Sequence, residues 1–153
     1  MFIPLPVGRL TVTEMKQHGS QVWLASEKVL IVYTAASGDL LGFFDAHDAP
    51  ISCMLSLGDE IWTASSTGEI RVWAYQNEEI VSIATLKQHT ARVRSMLRFK
   101  DYVITGANDT SLFVWSTKVC SGGNAWPSLS YAFERASRVA LTCFNRLAQS
   151  RAK

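Results

Sequence analysis

The sequence predicts an all-β protein assembled from a repeated four-stranded antiparallel unit of about 40 residues. Three observations lead there. Short apolar, β-branched runs bounded by Gly, Ser, Asn and Asp recur through residues 12–115. The runs come back into alignment when the chain is shifted by 39 residues and then by 42. An aromatic residue closes the third run of every unit, at Tyr33, Trp73 and Trp115.

Taken in order, the first unit opens on Val12–Met15, turns at His18-Gly19-Ser20 and returns through Val22-Trp23. Ala25-Ser26 lead into Val29–Tyr33, and Leu40–Phe44 closes the unit. The second opens on Ile51–Met54, turns at Leu57-Gly58-Asp59, and continues with Ile61-Trp62, Glu69–Trp73 and Ile80–Ile83. The third opens on Val93–Met96, turns at Phe99-Lys100-Asp101, and continues with Val103-Ile104 and Ser111–Trp115. Short β-branched and aromatic runs joined by tight turns are strands of antiparallel sheets. The units fall at about residues 8–46, 47–88 and 89–117. An ordinary β-sandwich with evenly spaced strands would need no such matched columns.

After Thr117 the pattern changes. Val119–Asn124 is rich in turn residues, so the third unit is expected to lack its fourth strand. Beyond Trp126-Pro127, Phe133, Ala136, Ala140, Phe144 and Leu147 recur at three- and four-residue steps. That spacing predicts an amphipathic helix over 131–149, capped by Ser128 or Ser130, within a divergent tail of residues 118–153. The helix is expected to cover the open flank of the third unit. Its basic face offers the alternative of a membrane surface or a helix-binding partner.

The third unit also carries a spaced polar set: His89 four residues before its first strand, Thr105 in the second, Asp109 in the following turn and Trp115 in the third. With these residues the chain resembles the WD40-repeat family. The second unit matches with His47, Thr63 and Trp73, but Thr67 replaces the Asp; the first retains only Tyr33, with Gly8 at the His position. The resemblance implies a partial β-propeller of about three four-stranded blades, the last one incomplete. It implies that each polar set forms a buried chain from carboxylate to imidazole to hydroxyl to indole, in which every polar group satisfies another. It also implies a protein-interaction scaffold, since such propellers bind peptides and domains through the loop before each first strand and the turn between the second and third. Those loops hold Asp48, Ser66, Arg92 and Asn108 here. The Gly58–Thr63 and Gly68–Trp73 segments are also similar to the propellers that precede the catalytic domain of some inositol polyphosphate 5-phosphatases, which would make the chain the regulatory portion of a larger enzyme. Three blades leave two open flanks, so the chain is expected to be part of a longer propeller, to complete a ring with a partner or copies of itself, or to be capped by its tail.

Other classes of function find little support. At 153 residues with 48% hydrophobic and 18% charged residues, the chain can bury a sizeable core. The net charge of +2 is modest. It conceals a basic end from Val119 onward, and nucleic acid is not an expected partner of the whole. Arg92, Arg94, Arg98 and Lys100 leave a basic strand as a separate route to a phosphate-bearing or nucleic-acid partner. Three cysteines, Cys53, Cys120 and Cys143, are widely spaced, without a metal-binding pattern, and fit reduced thiols in the cytoplasm. No run approaches the roughly 20 apolar residues of a membrane span. No nucleophile elbow, zinc-protease or phosphate-loop motif is present, and His18 reads as a solvated turn residue. Neither enzyme activity nor a cofactor or metal is expected.

Overall fold

A computed structural model describes residues 11–117 and the backbone of residues 128–134. Twelve strands form three four-stranded antiparallel sheets in chain order. The first sheet holds β1 (Glu14–His18), β2 (Gln21–Ser26), β3 (Val29–Thr34) and β4 (Leu40–Asp45). The second holds β5 (Ile51–Leu57), β6 (Glu60–Ser65), β7 (Ile70–Gln76) and β8 (Glu79–Leu86). The third holds β9 (Val93–Phe99), β10 (Tyr102–Ala107), β11 (Ser111–Ser116) and β12 (Ser128–Glu134). The hairpin between the first two strands of each unit turns on a residue in the left-handed region: Gly19 at φ 57°, Gly58 at 56° and Lys100 at 53°.

The third unit thus has the fourth strand that its sequence was expected to lack. β12 pairs antiparallel with β11 from Ser111↔Glu134 to Ser116↔Ser128. The expected helix over 131–149 is therefore corrected at its start, since residues 131–134 are strand. The reason lies in Ser128-Leu129-Ser130-Tyr131-Ala132-Phe133-Glu134, where Leu, Tyr and Phe alternate with smaller or polar residues at the period of a strand. Residues 135–149 lie outside the described residues.

The sheets stack side by side, with β5 of the second lying between β1 and β9. Trp23, Leu30 and Val32 of the first unit pack on Ile51, Met54, Ile61 and Trp73 of the second. On its opposite face the second unit presents Cys53, Trp62, Ala64 and Val72 to Val93, Val103, Phe113 and Trp115 of the third. The middle unit is covered on both sides, which is why β6 is buried along nearly its whole length. Trp23 and Trp62 are completely buried, each removing about 200 Å² from water and contributing up to about 5 kcal/mol before ordering costs.

Candidate functional site

Each stack interior contains a polar chain set by strand register. Thr63 sits one residue past Trp62 on β6, so it points to the opposite face, toward the first unit, together with Trp73. There Trp73 Nε1 donates to Thr63 Oγ1 at 2.9 Å, and Thr63 Oγ1 lies 2.8 Å from His47 Nε2. His47 Nδ1 stands 3.2 Å from Glu69 Oε1. A neutral imidazole protonated at Nδ1 satisfies the whole series: it donates to the carboxylate and accepts the threonine proton, leaving the threonine oxygen to accept from the indole. Burial lowers the His47 pKa, against the raising effect of Glu69, which favours this neutral form.

The third unit repeats the arrangement. Trp115 Nε1 donates to Thr105 Oγ1 at 2.9 Å, Thr105 Oγ1 lies 2.8 Å from His89 Nε2, and His89 Nδ1 is 3.0 Å from Asp109 Oδ2. Asp109 also accepts from the backbone N–H of Thr90 at 2.8 Å, from that of Ser111 at 3.0 Å, and from the Ser111 hydroxyl. Burial works against its charge, but these donors hold its pKa well below the ordinary carboxylate range.

Two members of these chains escape a reading by spacing alone. In the second unit the carboxylate comes not from the turn position of Thr67 but from Glu69, two residues later, whose longer side chain reaches the same imidazole. Arg71 Nε at 2.6 Å and Lys87 Nζ at 2.9 Å flank Glu69. Burial raises its pKa, but the hydrogen bonds and charges of Lys87 and Arg71 prevail and lower it. Ser111, the third-unit counterpart of Glu69, is the second addition. The visible signal for Glu69 was an acid immediately before β7 and two residues before Arg71. Among the described residues the first unit shows no such polar chain. Leu24 takes the threonine place, and with Ile31 and Tyr33 it forms a buried apolar cluster. Gly8 lies outside the described residues.

His18 is not a solvated turn residue. It ends β1, its Nδ1 lies 3.0 Å from Ser56 Oγ of the second unit, and its ring meets the edge of Trp23. Among the described residues no group of three His, Cys, Asp or Glu side chains could hold a metal. His47 is held between Thr63 and Glu69, and His89 between Thr105 and Asp109.

The four candidate contact residues lie directly above these chains. Ser66 is half-buried and its N–H donates to Pro50 O at 2.8 Å, while Asp48 is exposed in the same loop. In the third unit the N–H of Asn108 donates to Arg92 O at 2.9 Å, and both side chains are exposed. The second and third units therefore tie the pre-strand loop to the second turn with the same backbone bond, presenting Asp48 with Ser66 and Arg92 with Asn108. The basic strand is also clarified. A bulge between Gly106 and Ala107 of β10 falls opposite Arg94 of β9, and Arg94 and Arg98 are exposed.

These stacked four-stranded sheets with their polar chains form a WD40-type propeller fold. Residues 80–116 match the family model "WD domain, G-beta repeat", so the chain carries a WD40 repeat there. No curated protein sequence matches the chain. Among solved structures it is similar to the computationally designed Ika8 protein, with TM-score 0.72 at 17% identity over 86% of this chain and 39% of that one. It is likewise similar to the designed Ika4 protein, with TM-score 0.72 at 16% identity over 88% of this chain and 81% of that one. A third is Sqt1 from Saccharomyces cerevisiae, with TM-score 0.69 at 12% identity over 82% of this chain and 36% of that one. The chain thus spans under half the length of Ika8 and of Sqt1.

Proposed function

We propose that this chain is a non-catalytic cytoplasmic scaffold that binds a peptide or domain of another protein on its loop face. WD40 repeats generally mediate protein–protein interactions, and one observation supports that role for this face in particular. Asp48, Ser66, Arg92 and Asn108 stand on loops clamped by paired backbone bonds and anchored from below by His47 and His89. Loops held in this way present side chains with little left to order on binding, which favours affinity. Arg92 is the expected anchor, through bidentate contact to a carboxylate or phosphorylated side chain.

The test is a selection of binding peptides from a random library displayed on phage, followed by amide hydrogen exchange on the full chain. Protection is expected at residues 47–50, 65–68, 90–92 and 107–110, and Arg92→Glu is expected to weaken the selected peptides at least about tenfold. Protection confined to other segments, with Arg92→Glu binding unchanged, would overturn the proposal.

A further inference from the structure

The second and third units match position by position at an offset of 42 residues, from Ile51 and Val93 to Trp73 and Trp115. This internal repeat shows what belongs on the outer flank of the third unit. On the second unit that flank is occupied. Cys53 Sγ lies 3.9 Å from Val93 O, and Gly68 is so close to the next loop that a Cβ on it would fall 2.5 Å from His89 O and 2.9 Å from Ala91 O. The third-unit flank carries the corresponding residues, and there they border an open cleft of about 460 Å³ lined by Arg94, Ser95, Ala107, Thr110, Ser111 and Leu112. Beside it Leu97, the counterpart of the half-buried Leu55, is 61% exposed.

Two exchanges make this seat different from its template. Thr110 replaces Gly68 and holds φ at 66°, a region costing a β-branched residue about 1–2 kcal/mol. Its Cβ stands where a loop placed like His89–Ala91 would need free space. Arg94 replaces Ser52. Its Nε donates to Asn108 Oδ1 at 2.9 Å, fixing a guanidinium whose other donors have no partner among the described residues. Arg92 and Arg98 on the same exposed stretch add positive charge.

We propose that this cleft binds an extended acidic segment of a partner protein, with a carboxylate on Arg94 and an apolar side chain over Leu112 and Leu97. The position is one that receives a polypeptide segment in the preceding unit. Thr110 excludes a following unit seated in the same way, and the charge selects acid. This surface adjoins the loop face through Asn108, and Arg94 and Arg92 substitutions tell the two apart.

The experiment measures fluorescence anisotropy of the full chain with two labelled pentapeptides, one alternating leucine and valine with glutamate, the other carrying glutamine instead. The glutamate peptide is expected to bind at least about tenfold more tightly than its neutral counterpart, and Arg94→Glu to remove that preference. Arg94→Gln, a milder exchange at an exposed site, should do the same with an unchanged unfolding temperature. Equal binding of the two peptides would overturn the proposal. So would a loss on Arg92→Glu but not on Arg94→Glu, which would move the peptide to the loop face. A concentration-dependent dimer in light scattering, dissociated by Leu97→Arg and closed to the peptide, would overturn it in favour of a second copy of the chain.

Discussion

Thr63 is one hydroxyl shared by a buried donor, the Trp73 indole, and a buried acceptor, His47 Nε2. Thr63→Val keeps the shape and removes the oxygen, leaving the Trp73 indole and His47 Nε2 without their hydrogen-bond partner. The loss is expected to be about 1–3 kcal/mol, read as a shift of the urea midpoint at unchanged slope. The titratable members set the response to pH. His47 has a folded pKa below its ordinary value of 6.5, so its contribution is complete above pH 6.5 and declines as pH falls toward the folded value. Glu69 and Asp109 also have lowered folded pKa values, and their contributions are lost only at still lower pH. Burial pushes the Cys53 thiol up to about 11 from 9.0, so its contribution holds below pH 9.0 and is lost as pH rises through 11. Thermal unfolding should therefore show a plateau between about pH 6.5 and 9 with a decline on both sides, and Cys53→Ala should flatten the alkaline limb.

At the scale of the element, the turns separate two kinds of glycine. Gly58 turns the β5–β6 hairpin at φ 56° with nothing within 4 Å of a built Cβ, so Gly58→Ala should cost about 1–2 kcal/mol of backbone strain alone. Gly68 at φ 95° faces the backbone of the next unit, and Gly68→Ala must also displace His89 and its loop. It is expected to cost at least about 3 kcal/mol, and melting curves of the two variants measure the difference. Much of the strand order was legible because β-branched runs, left-handed turns and the aromatic column all recur with the repeat. β12 was less so. Its period-two stretch runs directly into apolar residues at helical spacing, and Phe133 belongs to both patterns. Glu69 was hidden for a related reason, since a longer side chain two positions along can deliver a carboxylate to the same imidazole. The partner-facing role of Arg94 was obscured because its bulge depends on pairing with β10, which no local pattern announces.

At the scale of the molecule, the main contacts between units among the described residues are those of β5 with β1 and with β9, so stability is approximately a sum of units and interfaces. Cys53 lies buried in the interface between the second and third units and reports whether that interface opens by itself. In a Cys120→Ser, Cys143→Ser background, labelling of Cys53 by a thiol reagent is expected to proceed at the rate of global unfolding. Labelling much faster than unfolding would mean that the third unit detaches while the other two remain folded.

The apolar trio Leu24, Ile31 and Tyr33 also makes the molecule uneven in acid. The second and third units each carry a carboxylate of lowered pKa in their polar chains, Glu69 and Asp109, whereas the corresponding place in the first unit holds an apolar cluster. Acid therefore loosens the chain from one side and spares the sheet that carries Trp23, Leu30 and Val32, baring the face that the second unit covers. The remnant is adhesive rather than merely unfolded, so on acidification precipitation should set in while much of the β-sheet signal persists.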